Sequence, residues 1–202
     1  MQIACLDLEG VLVPEIWINF AERTGIDALR ATTRDIPDYD VLMRQRLKIL
    51  DEHNLKLADI QAVIADMGPM EGAREFIDEL RCHFQVMILS DTFYEFGMPL
   101  MEPLGYPTLL CHKLEVAHDG RVSDYKLRMP DPKREAVKAL HGLNFKVIAA
   151  GDSYNDTTML GEADAGILFR PPQNVIDEFP QFPVTTNYDA LMAQFKKASA
   201  EI

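Results

Sequence analysis

The sequence is poor in cysteine, tryptophan and basic residues. Its 202 residues include three cysteines and one tryptophan, and 20 lysines and arginines stand against 32 aspartates and glutamates, for a formal net charge of −12. So negative a surface disfavours nucleic acid and anionic membranes as partners, since neither would find a basic stripe on it. A small anionic ligand stays compatible with this charge if a metal ion and a few cations share its pocket.

The cysteines and histidines lack the spacing of a metal or disulfide site. No two of the cysteines form a CxxC pair, and Cys5 and Cys111 lie in apolar runs, so we expect buried free thiols. No apolar run approaches the roughly 20 residues of a membrane span, and the first residues lack the basic region of a signal peptide. We therefore expect a cytoplasmic protein with no membrane partner.

The order of apolar patterns predicts the fold class. The 48% apolar and 26% charged residues are typical of a folded domain. After a first strand at residues 3–8, helical periodicity runs without a strand to about residue 70, and then strands and helices alternate. This predicts an α/β fold with a doubly wound, mostly parallel sheet. Residues 1–13 and 71–202 would form its core, and residues 14–70 an inserted helical cap.

Three predicted strands end in small polar clusters. These clusters are Asp7-Leu8-Glu9-Gly10, Ser90-Asp91-Thr92 and the segment at residues 151–156, Gly-Asp-Ser-Tyr-Asn-Asp. Taken singly, each also fits a helix cap or a solvated loop. The carboxyl ends of parallel strands share one edge of the sheet, so we expect the clusters to meet there. Carboxylates brought together need a cation between them, and Mg²⁺ suits oxygen ligands. Lys133, at a helix start, would supply further positive charge.

In this order, the segments resemble the haloacid dehalogenase-like phosphatase superfamily. Its motifs are Asp-x-Asp-Gly-Thr/Val, a Ser or Thr at a strand end, a Lys, and Gly-Asp-x-x-x-Asp, the last matched in full by Gly151, Asp152 and Asp156. Within the superfamily the chain is most similar to phosphoserine phosphatases, and closest to the phosphoserine–homoserine phosphotransferase branch. The segments that carry this narrower resemblance are Leu-Val-Pro-Glu at 12–15, Arg-Gln-Arg-Leu at 44–47, and residues 151–156.

The resemblance implies an activity and a cofactor. A Mg²⁺-dependent phosphoserine phosphatase would form an aspartyl-phosphate on Asp7 and would also transfer the phosphoryl group to homoserine. Asp7, Asp152 and the main-chain carbonyl of Glu9 would hold the metal, with Asp156 behind them orienting metal-bound water.

The resemblance also implies the residues that bind the substrate. Glu15 would meet the substrate ammonium and Arg46 its carboxylate, as opposite charges allow. Residues at the phosphoryl end would be Ser90, Asp91, Lys133 and Asn155, with Ser90 and Lys133 spreading the charge of the transferring group.

Two positions depart from the family pattern. Glu9 stands where an aspartate usually acts as general acid and then general base, and its side chain is one methylene longer. We hypothesise that Glu9 activates water less well, so that the phospho-Asp7 intermediate survives to meet an alcohol. Exchange of Glu9 for Asp would then raise hydrolysis relative to transfer, and an unchanged ratio would refute the idea. Asp91-Thr92 occupies positions where phosphoserine phosphatases usually have glycines.

The sequence leaves several alternatives open. The substrate could be another small phosphomonoester, and more remote alternatives are a receiver-like phospho-aspartate switch or a silent binding protein. The acceptor, water or homoserine, is not specified. The C-terminal helix, with Leu191, Met192 and Phe195, would pack on the core or on a second copy in a homodimer.

Overall fold

One sheet forms the centre of the fold. The computed structural model describes residues 1–32, 35–36 and 38–202. Within these residues the strands are β1 (Gln2–Leu6), β2 (Gln85–Phe93), β3 (Thr108–Val116), β4 (Val122–Lys126), β5 (Lys146–Gly151), β6 (Ala165–Phe169) and β7 (Val184–Thr185). They form a 7-stranded sheet in the order β4-β3-β2-β1-β5-β6-β7.

The sheet is mostly parallel, as predicted. Every neighbouring pair is parallel except β3 and β4, which are antiparallel. The turn pair Asp119-Gly120 between them predicts a hairpin or paired edge strands, and the structure has the hairpin. The central strand β1 pairs on both sides, with Ala4 opposite Val86 on β2 and Ile148 on β5. Its buried apolar residues run directly into Asp7, so the most central strand delivers this side chain to the carboxyl edge of the sheet.

Helices cover the sheet, and three of the described helices lie within residues 14–70. Those three are α1 (Ile16–Thr24), α2 (Tyr39–Glu52) and α3 (Leu57–Met67). The others described are α4 (Ala73–Arg81), α5 (Tyr94–Met101), α6 (Pro132–Gly142), α7 (Thr157–Glu162), α8 (Gln173–Glu178) and α9 (Tyr188–Glu201). Two helix ends have a recognisable residue in the sequence: α1 stops at Gly25 in the left-handed conformation, and Asp38 caps α2 by accepting the Val41 N–H.

The interior contains apolar residues on both faces of the sheet. The larger cluster includes Phe20, Phe93 and Phe169, and a smaller one includes Leu89 and Val137. Cys5 and Cys111 are buried free thiols, as expected, and burial raises the pKa of each to about 12. In the described part of the chain, no helix is both long and apolar enough to cross a membrane.

The C-terminal helix packs on its own chain. Leu191, Met192 and Phe195 are buried, and α9 lies against α4 and the β5–β7 side of the sheet. The Phe195 ring lies 5.9 Å from Phe84 and 6.4 Å from Phe76. This answers the question that the sequence left open for this helix, since its apolar face is covered by the core.

The structure corrects two details of the predicted elements. Strand β2 does not end at Ser90-Asp91 but continues to Phe93, with a shift of register against β3 between Leu89 and Phe93. The pair Pro171-Pro172 predicts a loop, but the short elements α8 and β7 follow it. A two-residue strand and a six-residue helix are too short to show a period.

Candidate active site

A cavity of about 170 Å³ lies at the carboxyl edge of the sheet, against α1 and α2. All the predicted site residues line it except Asp156, which is fully buried beside it. The described lining residues are Asp7, Glu9, Glu15, Trp17, Ile18, Thr32, Tyr39, Leu42, Arg46, Ser90, Asp91, Thr92, Phe93, Lys133, Asp152, Ser153, Tyr154 and Asn155. The structure thus brings together segments that are far apart in the sequence.

Lys133 is the positive centre of the cavity. It lies near the start of α6 and is 3% exposed. Its Nζ lies 2.7 Å from Asp156 Oδ1, 2.9 Å from Asp7 Oδ1 and 3.5 Å from Asp91 Oδ2. Burial acts to lower the pKa of Lys133, but the three carboxylates outweigh it and raise the pKa well above its usual range. The ammonium therefore stays charged at neutral pH.

Asp7 is held rigidly at the end of β1. Its N–H donates to the Ala150 carbonyl at 2.9 Å, and its side chain is buried. Burial and the charges of Asp156 and Asp152 raise the pKa of Asp7 well above its usual range, although Lys133 opposes them. Ionised Asp7 therefore calls for more positive charge than Lys133 supplies.

The acidic cluster of Asp7, Asp152 and Asp156 fits a hard divalent cation. One carboxylate oxygen from each lies within 4.8 Å of the others. Asp156 is already engaged, because Oδ1 accepts from Lys133 and Oδ2 accepts the N–H groups of Asp152 and Ser153 at 2.9 and 3.1 Å. This leaves Asp7 and Asp152 as the better placed ligands, with Asp156 fixing the turn that presents Asp152.

Two glycines allow this close approach. Gly10 has φ +77°, and a Cβ there would lie 2.5 Å from the Asp152 carboxyl carbon. A Cβ at Gly151 would lie 2.3 Å from the Cβ of Asp156. Both contacts are shorter than packing allows, so a side chain at either position would displace an aspartate of the cluster.

Glu9 is anchored to the first helix of the inserted segment. Its Oε2 accepts the N–H of Ile16, the first residue of α1, at 2.9 Å. Burial and the charge of Glu15 raise the pKa of Glu9 to about 7, against the opposing effects of Ile16, Thr92 and Arg46. A carboxyl group with this pKa can both donate and accept a proton near neutral pH.

Arg46 is on the buried face of α2 and lies at the end of the cavity opposite Lys133. It is 7% exposed, its Nη2 donates to the Ala31 carbonyl at 2.8 Å, and its guanidinium lies 4.5 Å from the Trp17 ring centre. Burial lowers the pKa of Arg46 to about 10. Within the described residues its Nε is buried with no hydrogen-bond partner, and such a donor is stabilised by a ligand oxygen. The exposed carboxylate of Glu15 lines the same cavity.

The remaining predicted residues border the phosphoryl end. Ser90 is buried, and its Oγ accepts the Thr92 N–H at 3.2 Å. Asn155 is exposed and lies in the short 3₁₀ turn Tyr154–Asp156. Asp91 extends between Lys133 and His112, whose Nε2 lies 3.7 Å from Asp91 Oδ1.

No motif in the sequence indicates Trp17, Tyr39 or His112 as site residues. The Tyr39 hydroxyl donates to the Asp91 carbonyl at 3.4 Å, and both Tyr39 and Trp17 line the cavity. A signal for Tyr39 existed, because it stands seven residues before Arg46 on the same face of α2. His112 had no such signal, since its contact with Asp91 depends on the pairing of β3 with β2.

The chain matches a known protein family over most of its length. The family described as haloacid dehalogenase-like hydrolase matches residues 1–164. A protein of Pseudomonas aeruginosa named phosphoserine phosphatase ThrH is 70% identical over 200 residues, which cover 99% of this chain and 98% of that protein. A phosphoserine phosphatase of Pseudomonas syringae pv. tomato is 69% identical over 199 residues, covering 98% of this chain and 84% of its own.

Solved structures share the fold at low sequence identity. A structure described as a phospho-aspartyl intermediate analogue of phosphoserine phosphatase superposes with a TM-score of 0.79 at 18% identity, covering 96% of this chain and 98% of the other. A substrate-bound phosphoserine phosphatase complex gives 0.78 at 18% identity, covering 96% and 97%. These likenesses establish the fold alone.

Proposed function

The chain belongs to the haloacid dehalogenase-like hydrolase family, and we propose that it is a Mg²⁺-dependent phosphatase that hydrolyses phosphoserine through an aspartyl-phosphate on Asp7. The observation that carries the proposal is the composition of one cavity. Asp7 and Lys133 lie at one end of it, and Glu15 and Arg46 lie at the other. That combination suits a phosphoryl group joined to a small molecule with an ammonium and a carboxylate.

In the first step, a carboxylate oxygen of Asp7 attacks phosphorus and the bond from phosphorus to the serine oxygen breaks. Glu9 gives a proton to the departing serine oxygen, for which a pKa of about 7 is suitable. Lys133 and Ser90 donate hydrogen bonds to the phosphoryl oxygens and spread their charge.

In the second step, an oxygen nucleophile attacks the phosphorus of phospho-Asp7 and the bond to the Asp7 oxygen breaks. Glu9, now ionised, accepts the proton of the nucleophile. With water as nucleophile the product is inorganic phosphate. With the hydroxyl of homoserine, the acceptor that we propose as a second substrate, the product is phosphohomoserine. Both routes restore the Asp7 carboxylate.

The metal site that we propose uses Asp7, Asp152 and the main-chain carbonyl of Glu9. Bound Mg²⁺ would neutralise part of the negative charge shared by the phosphoryl group and the carboxylates. Asp156 supports this site from behind, because its oxygens accept from Lys133 and from the turn before α7.

Substrate choice depends on the inserted segment in this proposal. Arg46 on α2 would pair with the substrate carboxylate, and Glu15 before α1 with the ammonium. We propose that residues 14–70 act as a helical cap over the core at residues 1–13 and 71–202, because both amino-acid contacts come from it.

The direct test is an incubation of the purified protein with Mg²⁺ and phosphoserine, with and without homoserine. Free serine, inorganic phosphate and phosphohomoserine would be quantified, with Asp7→Asn as the control. Serine release that needs both Mg²⁺ and Asp7 supports the proposed donor, and phosphohomoserine supports the transfer. Absence of serine release would overturn the assignment of Glu15 and Arg46 and point to another phosphomonoester.

A further inference from the structure

His112 is a buried histidine beside the phosphoryl end that the proposed mechanism does not use. It lies on β3, is 3% exposed, and packs against the Phe93 ring at 6.3 Å. Its Nδ1 accepts the main-chain N–H of Arg128 at 3.0 Å. An imidazole nitrogen that accepts an N–H carries no proton itself, so the ring proton is on Nε2.

The protonated nitrogen faces Asp91. His112 Nε2 lies 3.7 Å from Asp91 Oδ1, while Lys133 Nζ lies 3.5 Å from Asp91 Oδ2. Both distances are longer than a hydrogen bond, so the attraction of the Asp91 carboxylate to His112 and Lys133 is electrostatic in this structure. The Asp91 carbonyl is also held, since it accepts the Tyr39 hydroxyl at 3.4 Å. Each carboxylate oxygen of Asp91 therefore has a defined neighbour, His112 for Oδ1 and Lys133 for Oδ2.

The Asp91 carboxylate must be held in place because it lies at the end of the cavity that would receive the phosphoryl group. Lys133 has three N–H donors, and the carboxylates of Asp156, Asp7 and Asp91 surround it. When a phosphoryl group enters, Asp91 adds negative charge to the same end of the cavity, and a carboxylate free to turn toward it would repel it. Burial acts to raise the pKa of Asp91, yet Lys133 and His112 outweigh it and keep the pKa low.

We propose that His112 is a positioning residue, which holds the Asp91 carboxylate between itself and Lys133 and so keeps it from turning further toward the incoming phosphoryl group. The effect on turnover rests on the proposed phosphatase function, whereas the contact itself does not. Two measurements with substrate therefore test the effect on turnover, and a third without substrate tests the contact between His112 and Asp91 alone.

The first measurement compares three substitutions by the kcat/KM for serine release. His112→Asn keeps an oxygen near the Nδ1 position for the Arg128 N–H but does not reach Asp91, whereas His112→Gln places an amide N–H near the Nε2 position. We expect His112→Ala and His112→Asn to lower kcat/KM about tenfold, and His112→Gln to restore most of it. Equal losses in Asn and Gln, in variants with unchanged thermal unfolding midpoints, would overturn the proposal.

The second measurement is a double-substitution cycle. If His112 acts through Asp91, His112→Ala should cost activity in the natural protein and little or nothing after Asp91→Asn. A general structural role for the buried ring would instead lower activity by the same factor in both backgrounds, and that result would contradict the proposal.

The third measurement needs no substrate. The ¹⁵N chemical shifts of the His112 ring should show an unprotonated Nδ1 and a protonated Nε2, and Asp91→Asn should move the Nε2 shift more than the Nδ1 shift. A protonated Nδ1, or an Nε2 shift unaffected by Asp91→Asn, would refute the contact whatever the enzyme's substrate is.

Discussion

Glu9 is the proposed acid and base of the reaction, and its side chain also accepts a hydrogen bond from the first residue of α1. Glu15 occupies the N-cap position of that helix, but its side chain makes no capping hydrogen bond. The Glu9 carboxylate instead accepts the free N–H of Ile16, which provides the missing acceptor. The extra methylene of Glu9, relative to the aspartate of the family pattern, thus allows its side chain to reach the helix end while it still lines the cavity.

The pKa of Glu9 predicts a pH dependence for the first chemical step. Serine departure needs the protonated form of Glu9, so its single-turnover rate should fall as pH rises through about 7. Glu9→Gln does not titrate, so this decline should disappear in that variant. Rapid-quench measurements of serine release on both sides of neutrality would check it. The same decline in Glu9→Gln would assign the titration to a different group.

Arg46 predicts a selective loss of substrate affinity. Arg46→Ala removes the charged partner of the carboxylate, so the KM for phosphoserine should rise roughly 10- to 100-fold. Hydrolysis of p-nitrophenyl phosphate, which has no carboxylate, should change little. Arg23→Ala is the matched control, because Arg23 is an exposed arginine of the same segment that pairs with Asp66 at 2.9 Å. Equal effects of Arg46→Ala on both substrates would contradict the proposed role.

At the scale of single residues, local motifs predicted which side chains meet at the cavity better than they predicted the contacts that support them. Asp7, Ser90 and Asp152 were predicted because each follows or ends a buried apolar strand. The contacts of Tyr39 and His112 with Asp91 join residues distant in sequence, so the spacing of Tyr39 from Arg46 could place it on the cavity face of α2 but could not identify its partner. The sequence also could not show that Asp156 has both carboxylate oxygens occupied, which favours a supporting position over a metal-binding one.

Among the secondary-structure elements, the β3–β4 hairpin contacts α2 and α3 and holds them against the sheet. The Leu57 N–H donates to the Gly120 carbonyl at 3.0 Å, which fixes the start of α3. Arg44 on α2 lies 2.7 Å from Asp124 and stacks near the Tyr125 ring. The Tyr125 hydroxyl also donates to Asp40 at the start of α2. The position of α2, and with it that of Arg46, therefore depends on the hairpin.

Loosening this attachment should weaken substrate binding without removing a cavity residue. In the double variant Arg44→Ala/Tyr125→Phe, amide hydrogen exchange in α2 should accelerate, and the KM for phosphoserine should rise roughly two- to fivefold. Lys196→Ala is a matched control, because it removes an exposed pair with Glu79 between α9 and α4. Unchanged exchange in α2 would show that the hairpin does not hold the helix.

The element order was predictable because long periodic segments dominate the chain. The first three helices, the hairpin and the alternation that follows all appear in the structure. Strand β2 was predicted too short, because Ser90 and Asp91 end the apolar run but not the backbone conformation. Here the register shift against β3 accommodates polar residues within a strand.

The protein as a whole is strongly acidic, and the cavity concentrates several carboxylates around one buried lysine. The net charge is −12, and Lys133 is buried among three carboxylates. Because the pKa of folded Asp7 lies above that of an unfolded aspartate, its contribution to stability is full at low pH and is lost as pH rises through the folded value. A bound divalent cation would offset this loss.

Mg²⁺ should therefore stabilise the protein more at alkaline than at acidic pH. Ligand at about 100 times its Kd adds roughly 2.7 kcal/mol, or about 5–10 °C in Tm for a chain of this length. Thermal unfolding with Mg²⁺ or EDTA, above and below neutrality, would measure it. The shift should be smaller at acidic pH and absent in Asp152→Asn. An equal shift at both pH values, or one that persists in Asp152→Asn, would contradict the proposed site.

In the proposed mechanism, Asp7 carries the phosphoryl group during turnover. Protein mixed with phosphoserine and Mg²⁺, quenched in acid within one turnover and analysed by peptide mass spectrometry, should show a phosphorylated peptide at Asp7. Asp7→Asn should give neither this adduct nor serine release. Serine release at the normal rate from Asp7→Asn, or a phosphoryl group mapped to another residue, would rule out Asp7 as the nucleophile.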